Sequence, residues 1–179
     1  MNWLARFLRA FLVLVVLTLG ARALYQQFVS APPQPLPPLT GQIDRILIEK
    51  SARRMTVFRG DTALRSYRVA LGFAPSGDKL RQGDGKTPEG LFHIDRRNAK
   101  SAFHLSLGLD YPQTGDVIRA RAGGYSPGGD IFIHGQPNAF AGKATLRRDW
   151  TAGCIAVSDA EIEELWRVTP IGTEVMIRP

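Results

Sequence analysis

Two short stretches hold the residues able to do chemistry: IHGQPN at residues 133–138 and DWTAGCIAVSD at residues 149–159. The second contains Cys154, the only cysteine in 179 residues. A single cysteine makes no disulfide within its own chain, so it is a buried inert thiol, a link to another chain, or a nucleophile. Its neighbours bear on the choice. Gly153 removes a side chain beside the thiol and Thr151 supplies a hydroxyl. A helix N-terminus a few residues on places partial positive charge where it favours a thiolate.

A thiol nucleophile needs a base, and the chain has three histidines. His93 and His104 fall in alternating, strand-like segments, where a histidine is usually a surface or structural group. His134 ends an apolar strand and is followed by Gly135, Pro137 and Gly142, so a rigid element carries it into a loop region 20 positions before Cys154. Thiol and imidazole in hydrogen-bond reach form the activated pair that acyl transfer requires. Backbone groups can supply the rest: a carbonyl such as that of Gly135 to fix the imidazole tautomer, and N–H groups around Gly153 and Cys154 as an oxyanion hole. Thr151, Arg147 and Arg148 are candidates to bind substrate, the arginines by meeting a carboxylate unless they are solvated loop charges. A zinc site is disfavoured, because His134 and Cys154 are two ligands where zinc takes three or four from protein. No other cofactor is called for.

The elements that must position these groups read mostly as strands. QIDRILIEK (residues 42–50), RRMTVFRG (53–60) and ALRSYRVALG (63–72) alternate in polarity and are separated by tight turns, predicting an antiparallel meander. Residues 73–90 form a long loop rich in glycine, a length usually functional or mobile inside a compact domain. GLFHIDRR, FHLSLGLDY and DIFIHG read as further strands, and TEVMIR as the last. One clear helix is expected after the cysteine: Ser158 and Glu161 form a capping box, and Ile162, Leu165 and Trp166 share a face. The class is mainly β, a β-rich α+β domain.

Ahead of this domain, Arg6 and Arg9 precede the apolar run AFLVLVVLTLGA, so residues 1–23 are read as a signal peptide or membrane anchor, with Ala21 and Ala23 suited to cleavage after Ala23. The protein is therefore expected to be exported, to the periplasm or the outer face of the cytoplasmic membrane. No cysteine near Ala23 offers a lipid attachment point. Residues 24–41 form a proline-rich linker, with five prolines in APPQPLPPL. Residues 42–179 are one domain. Without Arg6, Arg9 and Arg22 the net charge falls from +7 to +4, 20 basic residues against 16 acidic. That suits an anionic polymer or membrane surface, and no basic run interleaved with aromatics argues for nucleic acid.

Together, IHGQPN, DWTAGCIAVSD and GDGKTPEGLF (residues 83–92) resemble the YkuD-type L,D-transpeptidase domain, above all its YafK-like murein branch. The resemblance runs over about residues 43–178 and implies an L,D-transpeptidase-like β-sandwich with cysteine and histidine in one cleft. It implies that Cys154 attacks the diaminopimelate-D-alanine bond of a peptidoglycan tetrapeptide stem, with His134 as base. Many members carry polar residues where this chain has Ala152 and Ala156, which removes an anchor for substrate. The acceptor is then an amine, from a second stem or a lipoprotein lysine, or water. The YafK-like branch is associated with release of a lipoprotein from peptidoglycan by amide hydrolysis, which stands as the alternative. A non-catalytic envelope scaffold with a buried Cys154 is the reading from another class.

Overall fold

A computed structural model describes residues 3–28, 37–141 and 145–179. The chain divides into two compact units, Met1–Pro37 and Pro38–Pro179. In the first, α1 (Trp3–Phe28) runs for 26 residues, through the expected cleavage position. Among the described residues no helix is long and apolar enough to cross a membrane. Residues 29–36 of the proline-rich linker lie outside the described residues.

The second unit holds eight strands: β1 (Arg45–Glu49), β2 (Arg54–Arg59), β3 (Thr62–Arg68), β4 (Gly90–Ser101), β5 (His104–Leu109), β6 (Phe132–His134), β7 (Ile155–Ala156) and β8 (Glu174–Arg178). They form one mixed sheet in the order β3-β2-β1-β8-β4-β5-β6-β7. The meander β1-β2-β3 is antiparallel as its alternation predicts, whereas β8 returns to lie parallel to β1. The 12-residue β4 serves both halves, pairing β8 through Gly90–His93 and β5 from Ile94 onward. Register shifts after Ile94 and Asn98 mark where it bends between them. The two halves of the expected sandwich are thus hydrogen-bonded into one continuous sheet.

Alternation buries Ile46, Ile48, Met55 and Val57 from one half and Leu107, Leu109, Ile133 and Ile155 from the other in a single core. Each such side chain contributes roughly 1.5–3 kcal/mol by leaving water. Against it packs α3 (Asp159–Val168), whose capping box forms as predicted: Ser158 Oγ accepts from the Glu161 N–H, and Glu161 accepts from the Ser158 N–H.

Two elements depart from the sequence reading. A further helix, α2 (Thr114–Ala122), follows β5, and only Ala120 of it is buried. With so short an apolar face it gives almost no periodic signal. The other is β7, a two-residue strand directly after Cys154.

Candidate active site

The thiol and the imidazole ride on neighbouring parallel strands. Ile133 pairs with Ile155 and His134 with Ala156, and Cys154 lies one residue ahead of β7. Because side chains alternate across a sheet, residues 134, 154 and 156 share a face, with Cys154 diagonal to His134. β7 is clamped on its other side by residues 70–73. Ala70 and Ala156 exchange hydrogen bonds of 2.9 and 2.8 Å, and Phe73 N–H donates to the Thr151 carbonyl at 2.9 Å. Asp149 fastens the entry to the turn, accepting from Leu71 N–H at 2.9 Å and pairing with Arg53 at 2.7 Å.

Within the turn, buried Thr151 is the tie. Its hydroxyl donates to the Cys154 carbonyl at 2.7 Å and accepts from the Gly153 N–H at 3.1 Å. Thr151 therefore shapes the backbone, and the Gly153 N–H expected in an oxyanion hole is already committed to it. Gly153 has φ +139°, and a Cβ there would lie 2.6 Å from the Lys86 carbonyl oxygen. This is a requirement for glycine both in conformation and in space. Cys154 itself is half-buried, and its thiol donates to the Asp130 carbonyl at 3.4 Å.

His134 is 3% exposed. Its Nδ1 lies 2.7 Å from the Gly135 carbonyl. A carbonyl can only accept, so Nδ1 carries the proton and Nε2 is left as the basic nitrogen. The ring is packed by Phe103, with centroids 4.6 Å apart, and by Trp150 edge-on at 5.7 Å. Gly135 permits close approach of α3: a Cβ there would meet Asp159 Oδ1 at 2.7 Å and Ile162 Cγ2 at 3.0 Å. Buried Gln136 links two segments, donating to the Val157 carbonyl at 2.5 Å and accepting from Leu146 N–H at 2.7 Å.

Burial dominates the electrostatics of both groups. It lowers the affinity of His134 for a proton, against the opposing effect of the Gly135 bond. It pushes the Cys154 thiol up, helped by Asp130 and opposed by the Phe132 N–H, Lys79 and Arg96. The expected thiolate beside a helix N-terminus is not what results. The first N–H groups of α3 are served by its own capping box, and desolvation outweighs what remains. The resting pair is a neutral thiol and a neutral imidazole.

The loop at residues 73–90 forms one wall beside the cysteine. Asp84 accepts from the N–H groups of Leu80, Arg81 and Lys86 at 2.8, 3.0 and 3.1 Å and pairs with Lys79 at 2.8 Å. Burial raises its proton affinity, but these bonds outweigh it and hold the carboxyl well below the usual range. A cavity of about 300 Å³ opens between this loop and residues 126–130, with Ala152 on its floor. Ala156, by contrast, is buried, so only Ala152 faces this space.

Arg147 and Arg148 are exposed, and neither makes a hydrogen bond or ion pair with a described residue. His93 pairs with Asp110 at 3.3 Å and His104 with Glu163 at 2.8 Å on the surface, in structural roles. Residues the sequence reading missed are Gln136, Lys79 and the aromatic packing of His134 by Phe103 and Trp150. Only Gln136 left a trace, inside the quoted IHGQPN.

Comparison with known proteins agrees with this architecture. The chain matches the L,D-transpeptidase catalytic domain, YkuD, over residues 43–177. The Escherichia coli protein named "Putative L,D-transpeptidase YafK" is 29% identical over 106 residues, covering 58% of this chain and 36% of that relative. The chain thus spans about a third of the curated relative it matches. The helical cell shape determining protein Pgp2 of Campylobacter jejuni superposes with a TM-score of 0.60 at 24% identity, covering 77% of this chain and 48% of that one. An L,D-transpeptidase of Xylanimonas cellulosilytica superposes at 0.50 with 16% identity, covering 80% and 65%. These likenesses are of fold. Because the family match takes in nearly the whole β-rich unit and both the His134 and Cys154 stretches, the chain belongs to the YkuD family of L,D-transpeptidase catalytic domains.

Proposed function

We propose that the protein is a cysteine-dependent peptidoglycan L,D-transpeptidase acting on the diaminopimelate-D-alanine bond of tetrapeptide stems. The observation that carries this reading is the pairing of β6 with β7, which sets Cys154 and His134 on one sheet face with the imidazole tautomer fixed by Gly135. In this reading the Cys154 thiol turns from the Asp130 carbonyl to His134 Nε2. Nε2 takes the thiol proton as sulfur attacks the diaminopimelate carbonyl carbon. With the Gly153 N–H engaged by Thr151, the Cys154 N–H is the remaining local donor for the oxyanion. The proton on Nε2 passes to the departing D-alanine nitrogen, the C–N bond breaks, and a thioester remains. An acceptor amine then attacks the thioester, His134 receives its proton, and the new amide forms as the thiol is regenerated.

Hydrolysis is the second reading, and Ala152 favours it. A small apolar side chain beside the nucleophile leaves room for water and offers an acceptor stem no polar hold. Both readings place the enzyme outside the cytoplasmic membrane, carried there by residues 1–23. Purified protein incubated with tetrapeptide muropeptides tests the proposal: D-alanine release with new cross-linked dimers is the outcome of transfer. D-alanine release with tripeptide and no dimer assigns water as the acceptor. Release of a peptide-linked lipoprotein with no action on tetrapeptides would replace the substrate proposed here.

A further inference from the structure

The cavity beside Cys154 carries opposite charges on a rigid frame. Its lining includes Lys79 from the 73–90 loop and Asp130 from the segment before β6. The walls are stapled together: Gln82 N–H donates to the Ser126 carbonyl at 2.8 Å, Arg119 donates to the Lys79 carbonyl at 3.2 Å, and Tyr111 donates to the Pro127 carbonyl at 2.9 Å. At about 300 Å³ it is a small space, sized for the end of a ligand rather than a length of chain.

Both residues are ion-paired within the fold, and both keep hydrogen-bonding capacity beyond those pairs. The Lys79 side chain is 3% exposed, and its ammonium donates to Asp84 at 2.8 Å and to the Arg81 carbonyl at 3.2 Å. An ammonium has three N–H donors, so one is left. Asp84 also accepts three backbone N–H bonds, and Lys79 lines the cavity, so its remaining donor is the one a ligand there can use. Asp130 is the mirror case. Its backbone is held at φ +55°, an uncommon conformation for a residue with a side chain. Its carbonyl accepts from the Cys154 thiol, and its side chain is 88% exposed, paired among the described residues with Arg96 at 3.3 Å. Arg96 is itself anchored more closely, by Asp95 at 2.8 Å and the Leu109 carbonyl at 3.1 Å.

We infer that Lys79 and Asp130 form a subsite for a zwitterionic amino-acid end, Lys79 meeting its carboxylate and Asp130 its ammonium. Resting on the function proposed above, this assigns the subsite to the free end of the diaminopimelate side chain in the donor stem. The two residues then set donor specificity. Stems whose third residue lacks the carboxylate, or carries it as a neutral amide, are poor donors.

The test measures the rate of Cys154 acylation by intact-protein mass, for three tetrapeptide donors: one with the free diaminopimelate end, one with its amine acetylated, and one with its carboxylate amidated. On the parent protein each block slows acylation by about tenfold or more, the scale of one charged hydrogen bond. Asp130→Asn loses sensitivity to acetylation but keeps it to amidation; Lys79→Met does the reverse. Asn adopts positive φ readily, so Asp130→Asn preserves the backbone and decides the matter even where Lys79→Met loosens its loop. An acetylation penalty as large in Asp130→Asn as in the parent overturns the subsite while leaving the acyl-enzyme intact. If no donor acylates Cys154, the proposed function fails and the subsite with it.

Discussion

At the scale of single residues, the proposed chemistry rests on one imidazole, His134, whose Nδ1 lies against the carbonyl of its neighbour Gly135. His134→Ala should lower kcat/KM by ~100-fold or more, since general base catalysis contributes about 10²–10⁴; loss of only a few-fold would reduce His134 to a packing residue under Phe103 and Trp150. Burial makes His134 a weaker base than ordinary imidazole and Cys154 a weaker acid than an ordinary thiol. The acid limb of the rate profile should therefore lie below the ordinary imidazole value of 6.5. Alkylation of Cys154 in resting protein should climb only in alkaline solution. The signs for stability follow from the same shifts. The unfolded chain protonates His134 more readily than the folded one, so stability falls as pH drops through 6.5. The folded chain resists ionising Cys154, so stability falls as pH rises past the ordinary thiol value of 9.0. A rate profile whose acid limb matches free imidazole would contradict this electrostatic account.

At the scale of elements, two glycines let the pieces meet. Gly135→Ala would push a methyl into Asp159 and Ile162 of α3, and Gly153→Ala would meet the Lys86 carbonyl from a positive φ. Each should cost about 1–3 kcal/mol, read as a lowered melting temperature; an unchanged melting temperature would show that α3 or the 73–90 loop can give way. A second joint is Glu164 of α3, which accepts from Leu39 N–H at 3.0 Å, from Tyr67 at 2.9 Å and from Arg65. Burial raises its proton affinity, yet these bonds prevail and lower it. Its contribution is present above the unfolded carboxyl value and lost as pH falls below it. Glu164→Gln should cost about 2 kcal/mol by urea unfolding at neutral pH. Strands were legible in the sequence because alternation at Ile46, Ile48, Met55 and Val57 is a local signal. So was α3, whose capping box spans four residues. The joints were not legible, because Asp149 with Arg53, Thr151 with Gly153, and Ala70 with Ala156 are brought together only by the closed sheet. His134 and Cys154 stood out by residue type and flanking glycines; Lys79 did not, because its role depends on a cavity built from two distant loops.

At the scale of the whole molecule, a β-rich catalytic domain follows an N-terminal apolar helix, and the order of parts fits an enzyme delivered to the cell envelope. A reporter fused after Leu39 should be active only in its exported form, and a cytoplasmic signal would contradict the role assigned to residues 1–23. The match of the β-rich unit to a single catalytic-domain family puts the weight of the account on one covalent intermediate. The most direct measurement is intact-protein mass spectrometry after mixing with a tetrapeptide stem and quenching in acid. The account predicts a tripeptide acyl group on Cys154, with one D-alanine released per adduct, absent in Cys154→Ser and strongly reduced in His134→Ala. D-alanine release that persists in Cys154→Ser, or an acyl group carried on any other residue, would contradict it.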